Sequence, residues 1–405
     1  MRHSLAQSGA CPDLAARGLP EPDGDARAHG AQVEAAIRGR IEAAGGRLPF
    51  DQFMDLALYG PGFGYYVAGS RKLGPAGDFV TAPEISPLFG ACLARPCAQV
   101  LQALSGGDIL EFGAGSGALA VSLLEALAEL GCVPERYLIL EPSPDLQARQ
   151  RELLGGLAPD LARRIQWLDR LPRGWRGVAL ANEVLDAMPV QRFLIRDGAV
   201  QEIFVGWDDQ GFYELVASPV SPGFAEAVAA LGDAGLDLAE GYTSEFNPRL
   251  KPWLAALGDG WQGGVALLID YGYPRHQYYL PERSMGTLMC HYRQRAHPDP
   301  YILAGLQDIT AHVDFSAVAD AARAAGLDLL GYTTQAHFLL GCGLDRLLQQ
   351  AAVRLEPLAL AQLMQRAKQL ILPQAMGERF QVMALGCNFA GELPGLQVRD
   401  LRGRL

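Results

Sequence analysis

The 405-residue sequence lacks any apolar run long enough to cross a bilayer, which excludes a membrane-spanning helix. It also lacks a basic excess, because 34 Lys and Arg stand against 45 Asp and Glu, giving a formal net charge of −11. That balance argues against sequence-independent nucleic-acid binding, which requires a basic surface. A cationic small molecule or a basic protein segment suits it better as a partner.

Disulfide and metal-binding patterns are missing as well. The seven cysteines are odd in number, scattered, and never spaced as C-x-x-C, which predicts reduced thiols. His291, His297 and His312 lack tight ligand spacing, so we expect no metal site. Residues 1–30 carry several carboxylates and no apolar signal core, so we expect a disordered tail and a cytoplasmic protein.

What the sequence does contain is a strand, a tight turn and a helix over residues 108–127. Residues 108–112 run into Gly113, Gly115 and Gly117, and leucines follow at helical spacing. Glycine at such a turn lets the backbone approach a ligand where a Cβ would collide. The N–H groups in the first turn of the helix are free to meet that ligand.

Two ligands suit this turn. Gly113-x-Gly115-x-x-Ala118 fits the dinucleotide fingerprint, whereas Glu111-x-Gly113-x-Gly115-x-Gly117 is typical of an S-adenosylmethionine loop. Glu111 favours the second ligand, because a carboxylate would repel a pyrophosphate but attract a sulfonium and an ammonium group. A nicotinamide oxidoreductase remains the alternative.

Polar residues also end the strands that follow. Glu141 ends the second strand, where a carboxylate can accept both ribose hydroxyls, and Asp169 ends the third, beside the expected adenine position. The fourth strand delivers Asn182, Glu183 and Asp186 at its carboxyl end, and we expect Asn182 to contact the cofactor. Carboxylates at the end of a buried strand are costly unless paired, so this cluster predicts an active site.

Two long loops are rich in functional side chains. Residues 59–84 combine glycine and proline with aromatic and charged residues, and a loop of this length in a compact domain is usually functional. We expect the second loop, residues 285–315, to shape the substrate site. The residues that we predict to contact substrate are Tyr65, Tyr66, Asp78, Thr81, Glu245 and His291.

The pattern of elements predicts an α/β protein in which core strands alternate with helices. We predict an N-terminal helical and lid region at 31–105 and a core at 106–395. The core has two predicted inserts. The first is an antiparallel meander plus helices at 191–260, with Glu245 in its helical part, and the second is a helical insert at 343–373 before the last strand. The apolar helices at 344–372 are compatible with a homodimer interface or with a cap on the monomer.

Several motifs occur together and in order, namely Tyr59-Gly-Pro-Gly-Phe-Gly-Tyr-Tyr, Gly77-Asp-Phe-Val-Thr-Ala-Pro-Glu, Glu111-Phe-Gly-Ala-Gly-Ser-Gly, Asn182-Glu-Val-Leu-Asp, Ile269-Asp-Tyr-Gly-Tyr and Gly286-Thr-Leu. With them the chain resembles the MidA-like family of class I methyltransferases, which includes mitochondrial complex I assembly factors. The resemblance implies a Rossmann-like seven-stranded sheet. It also implies S-adenosylmethionine as cofactor, with Gly113, Gly115 and Gly117 holding it and Glu141 holding its ribose. It also implies protein-arginine methylation, as in the eukaryotic branch.

A cationic arginine needs a carboxylate to orient its guanidinium group for methyl transfer. Our hypothesis is that Glu183 has this role, with help from Asp186 or from Glu84. The alternatives are methylation of a small molecule or another side chain, and an assembly chaperone that binds the cofactor without turnover.

Overall fold

A computed structural model describes residues 14–68 and 80–405, and these form two compact units. The first unit comprises the described residues of segments 14–68, 186–249 and 275–314. The second unit comprises segments 80–185, 250–274 and 315–405. Among the described residues, no helix combines the length and apolar character that a membrane crossing requires.

The α-helices of the described residues are α1 Gly24–Ala43, α2 Phe50–Tyr59, α3 Ala82–Ile85, α4 Leu88–Ala103, α5 Ala118–Glu129, α6 Pro144–Leu154, α7 Pro159–Ala162, α8 Phe224–Asp233, α9 Leu250–Gly258, α10 Arg275–Tyr278, α11 Phe315–Ala324, α12 Gln335–Gly341, α13 Leu344–Arg354 and α14 Pro357–Ile371. The strands are β1 Leu48–Pro49, β2 Asp108–Phe112, β3 Tyr137–Leu140, β4 Ile165–Leu168, β5 Trp175–Asn182, β6 Gln191–Arg196, β7 Ala199–Asp208, β8 Gly211–Ala217, β9 Thr243–Phe246, β10 Trp261–Tyr273, β11 Met289–Tyr292, β12 Arg295–His297, β13 Asp308–Thr310, β14 Val313–Asp314, β15 Asp328–Thr334 and β16 Phe380–Cys387.

The second unit is built on a sheet whose strand order, within its described residues, is β15-β16-β10-β5-β2-β3-β4. The pairs from β10 to β4 are parallel, and β16 runs antiparallel to both β10 and β15. The side chains of residues 265–269 in β10 are at most 1% exposed, because helices cover both faces of a parallel sheet. The second unit thus contributes seven strands to its sheet, as we predicted.

The strand order brings the candidate residues of this unit to one edge. After β2 the chain builds β3 and β4 on one side, then returns to place β5 on the other side of β2. Phe112 pairs with both Leu140 and Ala181, so the segments that follow these strands begin side by side. Open α/β sheets bind ligands at such a reversal of strand order.

One boundary of the predicted meander insert is wrong. We placed the insert over 191–260, but α9 belongs to the second unit and packs against α11. A parallel strand such as β10 needs a crossover helix before it, and α9 supplies this helix. The insert at 343–373 is helical as predicted and consists of α13 and α14.

The first unit contains an antiparallel sheet of order β1-β7-β6-β9, with β8 also paired to β7. The predicted Asp197-Gly198 hairpin is confirmed, since both residues have left-handed backbone conformations, with φ of 53° and 67°. A type I′ turn requires this geometry at its two central residues.

Two predictions in the first unit are wrong. Glu245 lies on strand β9, opposite Arg192 of β6, and not in a helical insert. The polar segment 285–315 is not only a loop, because β11 pairs with both β12 and β13. These strands have three or four residues, which is too short to show the alternation of apolar and polar residues that indicates a strand.

The predicted tail is also too long. Residues 24–30 belong to α1. Asp23 caps the start of this helix, because its side chain accepts a hydrogen bond from the Ala26 N–H at 2.9 Å. The apolar face of that helix buries Val33, Ile37 and Ile41 in the core of the first unit. Residues 1–13 lie outside the described residues.

Candidate functional site

The glycine-rich turn connects β2 to α5 in the second unit. Gly113, Gly115 and Gly117 have φ angles of 58°, 54° and 87°. These left-handed conformations are costly for residues with a Cβ, which explains the alternating glycines. The turn therefore exposes backbone at the start of a helix, as the sequence predicts.

Glu111 lies beneath this turn. Its side chain is 3% exposed, and its Oε2 accepts a hydrogen bond from the Tyr137 hydroxyl at 2.7 Å. Burial raises the pKa of Glu111 to about 7, and the nearby charge of Glu141 adds to the effect. The contact that we predict between Glu111 and a cationic cofactor group stays a prediction.

This pKa predicts a pH-dependent stability. A carboxyl group whose pKa rises from 4.5 to about 7 on folding stabilises the fold fully below pH 4.5 and loses that contribution as pH rises through 7. The wild-type free energy of unfolding should fall by about 2–3 kcal/mol from pH 5 to pH 8 through this group alone. Glu111→Gln cannot titrate, so this part of the fall should be absent from the variant. Urea unfolding of both proteins at the two pH values measures this difference. An equal pH dependence in the two proteins would contradict it, and exposed Glu125→Gln is the matched control.

Glu141 follows β3 and is 5% exposed. Its Oε1 accepts from the Ser143 backbone N–H at 3.0 Å, and its Oε2 accepts from Gln150 Nε2 at 3.3 Å. These two hydrogen bonds orient the carboxylate group at the end of β3. Our sequence analysis missed Gln150, since a glutamine inside a polar helix carries no motif signal.

Asp169 lies in the bend after β4, and its side chain is exposed. The predicted contact between Asp169 and adenine stays a prediction. The neighbouring Trp167 is partly buried, with the Arg151 guanidinium 4.6 Å from the centre of its ring.

The turn after β5 holds Glu183 in an unusual conformation. Glu183 has φ of 53°, which is rare for a residue with a side chain of this size. Buried Asp270 holds the turn, because its Oδ2 accepts from the backbone N–H groups of Val184 at 3.2 Å and Leu185 at 3.0 Å. Strained residues that the surrounding structure maintains in this way are concentrated at functional sites. The sequence resemblance included Asp270, but we assigned it no role.

The Glu183 carboxylate has partners on both sides. Its Oε1 accepts from Asn182 Nδ2 at 3.1 Å and from the Ala82 backbone N–H at 3.4 Å, at the start of α3. The Glu84 carboxylate accepts from the Thr81 backbone N–H at 3.2 Å and so caps the same short helix. Glu84 and Thr81 therefore have a structural role, and the catalytic and substrate contacts that we predicted for them stay predictions.

Asp186, Tyr65 and Tyr66 belong to the first unit. Tyr66 donates a hydrogen bond to Asp308 Oδ1 at 2.9 Å, and burial together with the Asp308 charge raises the pKa of Tyr66. Asp186 is 5% exposed. Tyr65 is 1% exposed and packs in the core of this unit, which is a packing role, and its predicted substrate contact stays a prediction.

Glu245 is fully buried in the first unit. Its Oε1 accepts from the Thr287 backbone N–H at 2.8 Å, the Thr287 hydroxyl at 2.7 Å and the Tyr278 hydroxyl at 2.9 Å. A Cβ on Gly286 would lie 2.2 Å from Glu245 Oε2, which explains the glycine there. These bonds tie β9 to the segment before β11, which is a structural role, and the substrate contact that we predicted for Glu245 stays a prediction.

His291 lies opposite Asp308 in the β11–β13 pair. Burial, followed by the charge of His297, lowers the pKa of His291, so this side chain is neutral at pH 7. In the part of the chain that the structure describes, no cluster of three or more His, Cys, Asp or Glu side chains could hold a metal. Asp78, predicted to contact substrate, lies outside the described residues.

Comparison with known proteins identifies the family. Residues 92–333 match a protein-family model described as "putative S-adenosyl-L-methionine-dependent methyltransferase". The chain belongs to this methyltransferase family. The methyltransferase is 30% identical over 371 residues to "Protein arginine methyltransferase NDUFAF7, mitochondrial" of Danio rerio, covering 84% of each chain. The Homo sapiens protein of that name is 30% identical over 378 residues, covering 84% of this chain and 80% of the human one.

Solved structures agree with this assignment. A crystal structure from Burkholderia thailandensis with S-adenosyl-homocysteine bound has a TM-score of 0.90 and 43% identity, covering 96% of this chain and 100% of that chain. A native crystal structure from the same organism has a TM-score of 0.85 and 44% identity at the same coverage.

The second unit of the methyltransferase fits S-adenosylmethionine. Left-handed glycines at three positions of the turn after β2 place no side chain beside the backbone there, and the Ser143 N–H and the Gln150 amide orient the buried Glu141 carboxylate. The backbone N–H groups in the first turn of a helix such as α5, and a carboxylate at the end of a strand such as β3, suit this cofactor. Which atoms these residues contact stays a prediction.

Proposed function

We propose that this methyltransferase modifies an arginine side chain in a protein client. The observation that supports the proposal most is the carboxylate of Glu183, which follows the central strand β5 in a left-handed conformation maintained by Asp270. A guanidinium group is planar and delocalised, and a carboxylate can pair with two of its N–H groups at once. The names of the relatives from Danio rerio and Homo sapiens agree with this acceptor.

The cofactor supplies a methyl group on a sulfonium, which is already electrophilic. The remaining task for the protein is to align a nucleophile, and alignment alone supplies much of the rate enhancement in such reactions. The Glu183 carboxylate would bind the guanidinium, orient one nitrogen and draw positive charge toward the other two. Hydrogen bonds from Asn182 and from the Ala82 N–H hold that carboxylate in place.

The structure assigns Glu183 to the second unit and Asp186 to the first, so their joint action belongs to the proposal. The same holds for the substrate contacts of Tyr66 and His291. A net charge of −11 suits a basic client segment.

The family resemblance suggests a narrower client, a subunit of respiratory complex I. We also propose that the protein is cytoplasmic and that it forms a homodimer through α13 and α14. Exposed apolar residues at the turn between these two helices, Val353 at 89% and Leu358 at 73%, are compatible with such an interface.

A labelled-methyl assay tests the acceptor. The enzyme is incubated with tritiated S-adenosylmethionine and a peptide library, beside a matched library in which lysine replaces every arginine. We expect label only in the arginine library, recovered as methylarginine after acid hydrolysis. Label in the lysine library, or in a small-molecule fraction of a cell extract while both peptide libraries remain unlabelled, would contradict the proposal.

A further inference from the structure

Gln150 joins three parts of the second unit through hydrogen bonds. Its Nε2 donates to the Gly115 carbonyl oxygen at 2.9 Å and to Glu141 Oε2 at 3.3 Å. Its Oε1 accepts from the Trp167 indole N–H at 2.8 Å. The side chain is 0% exposed, so these bonds form away from solvent. A single amide therefore connects the glycine turn, the carboxylate after β3 and strand β4.

Only one orientation of this amide is compatible with its surroundings. The reversed amide would place Oε1 against two acceptors, the Gly115 carbonyl and the Glu141 carboxylate. It would also place Nε2 against a donor, the Trp167 N–H. Gln150 thus has both of its N–H groups and its carbonyl oxygen satisfied, as a buried polar group requires.

These bonds have consequences for both of the groups that Gln150 holds. Ser143 fixes Glu141 Oε1 and Gln150 fixes Oε2, so the plane of the carboxylate is set from both sides. In a trans peptide the C=O and N–H groups point in opposite directions. Because the Gly115 carbonyl points at Gln150, the Ser116 N–H points away from it.

We propose that Gln150 is a positioning residue of the cofactor site. It orients the Glu141 carboxylate for the two ribose hydroxyls, and it holds the Gly115 peptide in the conformation that receives the cofactor. The inference depends on S-adenosylmethionine as cofactor and does not depend on arginine as the acceptor.

Gln147 provides a matched control on the same helix. Its Nε2 donates to the backbone oxygen of Glu141 at 2.7 Å and not to the carboxylate. A glutamine-to-methionine change at either position keeps a long unbranched side chain and removes one bonding amide from α6. Only the change at 150 releases the carboxylate and the glycine turn.

The test is calorimetric titration of S-adenosylhomocysteine and its 2′-deoxyribose analogue into wild type, Gln150→Met and Gln147→Met. We expect wild type to bind the analogue about 10-fold more weakly, since the 2′-hydroxyl donates to a charged group. Gln150→Met should bind S-adenosylhomocysteine about 10- to 30-fold more weakly and discriminate between the two ligands by only about twofold. Gln147→Met should keep the wild-type ratio.

The ratio separates positioning from general destabilisation. If Gln150→Met binds both ligands more weakly by one common factor, or binds both as wild type does, the positioning role is wrong. If that variant does not fold, Trp167→Phe decides, because it removes only the N–H that holds Gln150 Oε1. We expect about threefold weaker binding and a reduced ratio in Trp167→Phe, and an unchanged ratio would overturn the proposal. Failure of wild type to bind S-adenosylhomocysteine would instead contradict the cofactor assignment.

Discussion

Gly115→Val is expected to weaken S-adenosylhomocysteine binding at least 100-fold and to abolish methyl transfer. Gly115 has φ of 54°, and a β-branched residue is strongly disfavoured in this conformation. The turn would have to rearrange, which would also displace the carbonyl that Gln150 holds. Titration calorimetry of the purified variant measures the affinity, and circular dichroism shows whether it is folded.

Gly131→Val is the matched control for this experiment. Gly131 follows the other end of α5, has φ of 65°, and a Cβ added to it would meet nothing within 4 Å. It therefore imposes a similar backbone strain far from the turn. We expect a lower melting temperature in both variants and lost affinity only in Gly115→Val. Binding within threefold of wild type in Gly115→Val would show that the glycine turn does not hold the cofactor.

Glu183→Gln is expected to lower kcat about 10²- to 10³-fold, a loss of roughly 3–4 kcal/mol of transition-state stabilisation. The amide keeps the size of the side chain but loses the charge that pairs with a guanidinium group. Cofactor affinity should stay within about threefold of wild type, because Glu183 is not among the residues predicted to hold the cofactor. Initial rates of label transfer, together with S-adenosylhomocysteine titration, separate the two effects.

Glu125→Gln serves as its control, because Glu125 is an exposed carboxylate on α5 of the same unit. It should have the kcat of wild type. Full activity in Glu183→Gln would remove this residue from the mechanism. A parallel loss of cofactor affinity would instead indicate that Glu183 belongs to the cofactor site.

The parts of the site that the sequence predicted correctly are local. The strand before the glycines, the turn and α5 lie within 22 consecutive residues, 108–129, and each element has its own signal in periodicity or composition. The strand that ends at Glu141 and the strand that ends at Asn182 were also recognisable, because short apolar runs precede them. The family resemblance then implied seven strands in one sheet, and the sheet of the second unit has these seven strands.

The partners of these residues could not be predicted, because they are distant in sequence. Gln150 holds Gly115, 35 residues away, and Asp270 holds Leu185, 85 residues away. Neither side chain belongs to a spacing pattern that indicates such a contact. Strand β9 was missed for a related reason. Thr243–Phe246 has only four residues, and it includes the buried carboxylate of Glu245. Three hydrogen bonds donated to Glu245 offset the cost of burying its charge, and the sequence does not reveal them.

A crystal structure of this chain with S-adenosylhomocysteine bound tests the site assignment most directly. We predict the ribose hydroxyls on the two Glu141 oxygens, the backbone of Gly113–Gly117 against the cofactor, and Gln150 with the same three partners as in the present structure. A ligand bound elsewhere, or a ribose that does not contact Glu141, would contradict the assignment.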